Sequence, residues 1–168
     1  KIKRIVLMGG AYTNGNVTPA AEFNIIADAD AAYVCFTAGR PITMIGLDVT
    51  RKALCYPAIV DRMDKIGNKA SKLFVDLMRH FCKSQKEVFG WEGGPLHDPI
   101  TIAWLIDPSV VETKPMHAEI DIRSVQSYGR TNCDFFGYQK LEPNADVGIG
   151  IDADKFWDMV EEVLRMYD

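Results

Sequence analysis

The sequence predicts an α/β fold, an open and mostly parallel sheet with flanking helices that is incomplete and carries a small β excursion near residues 117–138. Short apolar runs typical of buried strands alternate with stretches of helical period. Residues 3–47 follow the order strand, glycine turn, loop, helix, strand, which is a βαβ unit. With 168 residues, 48% of them apolar, the chain can bury a sizeable core, and a single α/β region over 1–168 is expected.

The elements of the βαβ unit follow from its apolar runs and its breakers. In order, we expect a buried strand over 3–9, a long connection over 11–27, a helix over 28–38 and a second buried strand over 41–47. Asp28 at the start and Gly39 at the end are typical helix boundaries. The second strand leads into a polar turn over 48–50.

The rest of the chain adds helices and then short strands. Proline and glycine boundaries and apolar positions at helical spacing predict helices over 57–66, 68–88, 100–106 and 154–167. Before the last helix, short strand-like pieces occupy the β excursion and residues 145–151. The chain contains no internal repeat, low-complexity tract or linker.

Charge and cysteine content exclude several classes of protein. The net charge is −4 and no basic run occurs, so a nucleic-acid partner is not expected. No apolar stretch approaches the length of a membrane span, and the opening KIKRIVLMGG runs straight into a strand pattern rather than a signal peptide. The four cysteines form no Cys-x-x-Cys motif. We expect buried free thiols in a reducing compartment, which favours the cytoplasm.

The connection after the first strand is the first candidate site, because open α/β sheets bind ligands at the carboxyl ends of their strands. It contains Glu22-Phe23-Asn24. In extended backbone, Glu22 and Asn24 would point to the same side, where an acceptor and an amide could bind neighbouring sugar hydroxyls. The simpler interpretation is that such polar residues satisfy turn backbone, and it is the stronger one for Asn14 in Asn-Gly.

The stretch GGPLHDP, at residues 93–99, is the second candidate. Asp98 before a proline is a typical helix cap, but the comparable Asp107-Pro108 pair has no histidine or glycines before it. His97 can exchange a proton near neutral pH. Asp98 could also bind a hard cation, although one carboxylate is too little for calcium. His80 and His117 lie in contexts without convergent neighbours and are expected to be structural.

Together these motifs resemble a known family. The segments IVLMGG, GNVTPAAEFNIIADADAA, GLDVT and GGPLHDP resemble the inosine-uridine preferring nucleoside hydrolases over nearly the whole chain. The resemblance implies a nucleoside hydrolase-like fold and hydrolysis of ribonucleosides to ribose and free base, a salvage reaction, with a water held by Ca²⁺. It further implies that Asp98 is a calcium ligand and that His97 is the acid for the departing base. The residues that it implies for the ribose pocket are Met8, Asn16, Glu22 and Asn24, and those that it implies for contact with the base are Gln85 and Phe89.

One departure from the family pattern is large. The family's Asp-rich motif, Asp-x-Asp-Pro-Gly-x-Asp-Asp, supplies most calcium ligands and the carboxylate that activates water, and it is absent here. The chain therefore resembles the carboxyl-terminal half of the enzyme. We expect it to be inactive alone, to need the amino-terminal half as a partner, and to form a homo-oligomer. Two alternatives remain, a non-catalytic ribose- or nucleoside-binding module and an assembly fragment that folds against a partner half.

Overall fold

The computed structural model of the chain describes residues 1–167. In chain order the elements are β1 (Ile5–Met8), α1 (Phe23–Ala27), α2 (Ala29–Thr37), β2 (Ile42–Ile45), α3 (Leu47–Thr50), β3 (Leu54–Cys55), α4 (Pro57–Asp64), α5 (Lys69–Phe89), β4 (Gly94–Pro95), α6 (Pro99–Ile106), a 3₁₀ turn (Pro108–Val110), β5 (Val111–Met116), β6 (Ala118–Ile120), β7 (Thr131–Cys133), β8 (Ala145–Ile151) and α7 (Ala153–Arg165). They form two compact units. The first comprises residues 1–50 and 97–151, and the second comprises residues 51–96 and the described residues from 152 onward.

The first unit is built on a four-stranded sheet with the strand order β1-β2-β8-β5. β1 pairs with β2 and β2 pairs with β8 in parallel, whereas β5 runs antiparallel to β8. All four residues of β2 are buried, as expected for a strand with neighbours on both sides. The predicted open, mostly parallel sheet with flanking helices is confirmed.

The β excursion is also confirmed. β6 and β7 form a separate antiparallel pair in which Ala118 lies opposite Cys133 and Ile120 opposite Thr131. Ala118 and Ile120 face the same side of this ribbon and belong to the same buried apolar cluster as Ile25 and Met44. The excursion is therefore held against the main core of the first unit by its apolar face.

The second unit consists mainly of helices. α5 packs against α4 and α7, and β3 pairs with β4 in a short antiparallel ribbon. Asn68 caps α5 by accepting a hydrogen bond from the Ser71 N–H at 2.8 Å, and Gly90 ends the helix with a φ of 72°. The Arg62 guanidinium pairs with Asp158 at 2.6 Å and also with Glu161.

The helix predicted over 28–38 is confirmed as α2, with Asp28 as its N-cap, but the connection predicted over 11–27 is wrong at its end, because the short helix α1 occupies Phe23–Ala27. Asp28 has a φ of −152°, outside the helical region, and its carboxylate caps α2 by accepting from the Ala31 N–H at 2.9 Å. The turn predicted over 48–50 is part of the helical turn α3. The first strand is half-buried rather than fully buried, since within the described sheet it has a neighbour on one side only.

The cysteine prediction is partly wrong. Within residues 1–167 all four thiols are free, as expected, and Cys55 is buried. Cys35, however, is exposed on α2. Burial raises the pKa of both the Cys55 and the Cys133 thiol to about 12, so neither is readily ionised. Among the described helices, none combines the length and the apolar character that crossing a bilayer requires.

Candidate active site

The connection that follows β1 is organised around a buried carboxylate. Glu22 is only 3% exposed, and its Oε2 accepts hydrogen bonds from the backbone N–H groups of Gly10 at 2.9 Å, Asn24 at 3.0 Å and Ile25 at 3.3 Å. Glu22 is thus the N-cap of α1 and also fixes the glycine turn after β1. Gly10 has a φ of 75°, and a Cβ there would lie 2.7 Å from the Thr131 methyl group, so this close approach requires glycine.

Three of the predicted ribose-pocket residues meet at this strand end, although not by the predicted geometry. Glu22 has extended backbone but Asn24 lies in the first turn of α1, so the expected alternation in an extended chain is wrong. The carboxamide of Asn24 instead donates toward the Met8 carbonyl at 3.2 Å and lies 3.3 Å from the Met8 sulfur. Helix capping therefore brings Met8, Glu22 and Asn24 together.

Asn16 has a structural role within the same connection. Its carboxamide oxygen accepts a hydrogen bond from the Phe23 N–H at 2.9 Å. Asn16 therefore braces the start of α1, which matches the simpler interpretation of polar residues in this connection. It lies in the predicted segment, but its oxygen is already engaged with the chain.

Two residues that the sequence analysis did not single out hold this connection in place. The buried Thr131 hydroxyl accepts from the Ala11 N–H at 2.9 Å and donates to the Ala11 carbonyl at 2.6 Å. The Asp48 carboxylate accepts from the Tyr12 N–H at 2.7 Å and bonds the Thr13 hydroxyl. Asp48 lies in the polar turn predicted after the second strand, but no role was predicted for it. Thr131 lies 120 residues from Ala11, and no local signal marks it.

His97 is held by a buried threonine of the same unit. Its Nδ1 lies 2.7 Å from the Oγ1 of Thr50, which is fully buried at the end of α3. α3 is in turn attached to the turn after β1, because the Leu47 N–H donates to the Gly10 carbonyl at 2.9 Å. A short series of hydrogen bonds therefore links His97 to the strand end where Met8, Glu22 and Asn24 meet.

Asp98 does not cap its helix, and the predicted capping role is wrong. Asp98 has helical backbone angles (φ −63°, ψ −39°), and its exposed carboxylate makes no capping hydrogen bond. Asp107, the comparison residue, does cap, since its carboxylate accepts from the Ser109 N–H at 2.9 Å. Of the two Asp-Pro pairs, only the second behaves as an ordinary cap, so capping does not explain the Asp98 carboxylate.

Two contacts relate α6 to the sheet. α6 packs against β1, and the Arg4 guanidinium, just before β1, lies 5.6 Å from the centre of the Trp104 ring near the end of α6. The start of α6 is related to the sheet by His97, whose contact with Thr50 leads through α3 to the turn after β1. We expect Asp98, the next residue, to lie toward the same strand end.

The residues present do not by themselves fit a calcium site. Calcium takes six to eight oxygen ligands, most often from several carboxylates and carbonyls. Among residues 1–167, no group of three or more His, Cys, Asp or Glu side chains is arranged to hold a metal ion. At this sheet edge the Glu22 carboxylate is buried in backbone hydrogen bonds, which leaves Asp98 as the exposed carboxylate expected to bind metal.

The two expected base contacts lie in the second unit. Gln85 is half-buried and Phe89 is 51% exposed, and the two are one helical turn apart on α5. The Phe89 ring stacks on the Trp91 ring with a centroid distance of 5.0 Å. The Arg51 guanidinium lies over the Trp91 ring, 5.8 Å from its centroid. The sequence analysis assigned no role to Trp91, although a second aromatic residue only two positions after Phe89 is a signal that the sequence contains.

His117 has more neighbours than expected. Its Nδ1 lies 3.0 Å from the Glu142 carbonyl and its Nε2 lies 3.1 Å from the Glu119 carboxylate. These contacts, that to the Glu142 carbonyl above all, together with nearby Asp134, raise the pKa of His117 above its ordinary value of 6.5. The prediction that this residue lacks convergent neighbours is wrong, and its contacts are with β6 and with the segment that precedes β8. His80 is exposed on α5.

Several solved and curated proteins are similar to this chain. The pyrimidine-specific ribonucleoside hydrolase RihB of Shigella flexneri serotype 5b is 49% identical over 167 residues, which are 99% of this chain and 53% of that protein. A putative RihB of Shigella boydii serotype 4 is 50% identical, covering 99% and 69%. The purine-preferring ribonucleoside hydrolase from Gardnerella vaginalis superposes with a TM-score of 0.85 at 32% identity, covering 97% of this chain and 53% of that one.

These matches agree with the family resemblance of the motifs. The chain spans about half the length of the first of these relatives, and a plant nucleoside hydrolase at 24% identity shares the fold with a TM-score of 0.85. The model of the family described as inosine-uridine preferring nucleoside hydrolase matches residues 1–158. The chain therefore belongs to the inosine-uridine preferring nucleoside hydrolase family.

Proposed function

We propose that this chain is the ribose-binding part, corresponding to the carboxyl-terminal half, of an enzyme that hydrolyses the N-glycosidic bond of ribonucleosides. The main support for this proposal is the cluster at the end of β1, where Met8, Glu22 and Asn24 meet. The hydrogen bonds that lead from this cluster to His97 support the same assignment. Family membership supports the reaction class.

The chemistry of the cluster suits a ribose. Glu22 Oε2 is saturated by backbone donors, whereas Oε1 accepts from the Asn24 N–H at 3.0 Å and keeps lone-pair capacity for a hydroxyl. Cleavage of the C–N bond builds positive charge on the sugar ring, and carboxylate and amide oxygens stabilise that charge. We assign Met8, Asn16, Glu22 and Asn24 to the ribose, with Asn16 acting by bracing the loop.

His97 and Asp98 have separate proposed roles at the same sheet edge. The departing base must take up a proton or a hydrogen bond, and His97 would provide it. Asp98 would supply one oxygen ligand to Ca²⁺, with the others coming from an Asp-rich partner half. Because the described residues offer no metal cluster, the chain alone would neither bind calcium tightly nor turn over nucleosides.

For the base, we propose pyrimidine ribonucleosides. The relatives named as pyrimidine-specific are 49–50% identical to this chain, compared with 32% for the purine-preferring enzyme. Gln85 and Phe89 are proposed as base contacts on the family resemblance, and an exposed aromatic ring such as that of Phe89 can stack on a base. The free thiols support a reducing compartment such as the cytoplasm, where nucleoside salvage would take place.

The proposed partner half would cover apolar surface that the first unit exposes. The outer face of α6 carries Ile102, Leu105 and Ile106, each more than half exposed, and β1 lies at the edge of the described sheet. An exposed apolar helix face beside an open strand edge favours association with another chain or segment. A homo-oligomer of the assembled enzyme is proposed in addition.

The test is ribose release. The 168-residue chain is assayed with uridine, cytidine and inosine, alone and mixed with the part of the Shigella flexneri relative that this chain does not match. We expect no release by the chain alone, and calcium-dependent release from uridine and cytidine by the mixture. Turnover by the chain free of other polypeptide would contradict the proposed division of ligands, and an inactive but well-formed complex would contradict the hydrolase assignment.

The main alternative is a ribose- or nucleoside-binding module without catalysis. It is favoured by one observation, the absence of a metal-binding cluster among residues 1–167. Calorimetry of the chain with uridine, with and without calcium, separates the two. Binding that is indifferent to calcium, together with no activity in the mixture, would support the binding module.

A further inference from the structure

We propose that Thr50 is a positioning residue that holds neutral His97 in the tautomer with hydrogen on Nε2. The motivating contact is the 2.7 Å separation between Thr50 Oγ1 and His97 Nδ1. Either group could be the donor in such a contact, and the surroundings of the threonine decide between them. The relevance of this tautomer to catalysis rests on the proposed function, but its existence does not.

Other helical threonines of the chain show where such a hydroxyl ordinarily donates. The Thr37 hydroxyl donates to the Tyr33 carbonyl at 2.9 Å, and the Thr101 hydroxyl donates to the Asp98 carbonyl at 2.7 Å. Both are bonds to the preceding turn of the backbone, the usual choice for threonine in a helix. Thr50 is also helical, at the end of α3, but its hydroxyl lies against the imidazole instead.

The preceding turn offers Thr50 two carbonyls, of which the one four residues back is already occupied, while the described contact of its hydroxyl is with His97 rather than with the Leu47 carbonyl three residues back. The Gly46 carbonyl, four residues back, accepts from the Val49 N–H and from the Thr50 N–H, each at 3.1 Å. A carbonyl oxygen has two lone pairs, so this acceptor is saturated. Thr50 is fully buried, and a buried hydroxyl hydrogen without an acceptor is unfavourable. The arrangement that satisfies the hydroxyl is donation to Nδ1 of His97.

The donation determines the state of the other ring nitrogen. In neutral imidazole one nitrogen carries hydrogen and the other accepts, so a ring that accepts at Nδ1 carries its hydrogen on Nε2. At the proposed site the ring would then present an N–H donor to a heteroatom of the base rather than a lone pair. Thr50 would act on the substrate only through His97.

The experiment reads the tautomer directly. The chain has three histidines, so two-dimensional ¹H–¹⁵N spectra of their rings can be assigned, with exposed His80 as the reference for an unconstrained ring. Spectra are recorded near pH 8, above the ordinary histidine pKa of about 6.5, for the unaltered chain, Thr50→Val and Thr50→Ser. Valine keeps the shape but removes the hydroxyl, whereas serine restores it.

We expect hydrogen on Nε2 of His97 in the unaltered chain, in at least about tenfold excess over Nδ1. Thr50→Val should lower this excess toward the ratio of His80, and Thr50→Ser should preserve it. A His97 ring with hydrogen on Nδ1, or a valine variant with an unchanged ratio, would overturn the proposal. Because no nucleoside or partner is present, the result is independent of whether the hydrolase assignment is correct.

Discussion

Replacing Glu22 with glutamine tests whether this carboxylate organises the connection after β1. Its Oε2 is 2.9 Å from the Gly10 nitrogen and 3.0 Å from the Asn24 nitrogen, with Ile25 at a longer 3.3 Å. A hydrogen bond to a charged acceptor stabilises by about 1 kcal/mol more than one between neutral groups. Two good bonds therefore predict a loss of about 2 kcal/mol in the free energy of unfolding for Glu22→Gln.

Urea unfolding followed by circular dichroism measures this loss. The matched control is Glu119→Gln, because the Glu119 side chain is 57% exposed and its ion pair within residues 1–167 is with His117. For this exposed pair we expect a change below about 0.5 kcal/mol. If Glu22→Gln were as stable as the control, the carboxylate would not be holding the turn, and our account of the site's local structure would be wrong.

Three further changes have definite expected outcomes. Asp107→Ala should lower the free energy of unfolding by about 1 kcal/mol, because it removes a cap. Asp98→Ala should lower it by less than about 0.5 kcal/mol in the same urea titration. Equal losses would contradict the difference in capping. The pKa of His117 is raised on folding, so its contribution to stability is complete below about pH 6.5 and is lost as the pH rises through the higher folded pKa. His117→Gln should therefore lose more stability at pH 6 than at pH 8, and a pH-independent loss would count against the ring contacts. A thiol reagent should modify Cys35 first, because Cys35 is exposed on its helix. Cys35→Ser should therefore remove the fastest phase of thiol modification. Persistence of that phase would show that another thiol is the most reactive one.

The parts of the fold that the sequence predicted well depend on local signals. β2 is a short apolar run between polar turns, and α5 has apolar residues at helical spacing between Asn68 and Gly90. Both were placed within a residue or two. Strand order and the antiparallel direction of β5 had no such signal, because pairing of β5 with β8 joins residues far apart in the chain.

The candidate site divides in the same way. Family motifs supplied Glu22, Asn24 and His97, but the local geometry of Glu22-Phe23-Asn24 was wrong because N-capping by Glu22 starts a helix where extended backbone was expected. Thr131 could not be found, since its contact with Ala11 exists only after folding. The failure of Asp98 to cap was also invisible, because an Asp before a proline favours a cap in both pairs and the different residues before them do not predict the backbone angles of Asp98.

The central claim is that the start of α6 and the loop after β1 serve one ribonucleoside site. The most direct measurement is the kcat/KM for uridine of the assembled enzyme carrying Asp98→Asn, compared with Asp107→Asn. Both changes remove one carboxylate from an Asp-Pro pair, but only Asp98 directly follows His97, which hydrogen bonds through Thr50 and α3 connect to the strand end that holds Met8 and Glu22. We expect a loss of about a hundredfold or more for Asp98→Asn, as for loss of a charge acting at the reacting centre, and near-normal activity for Asp107→Asn. Equal activities of the two variants would contradict the account.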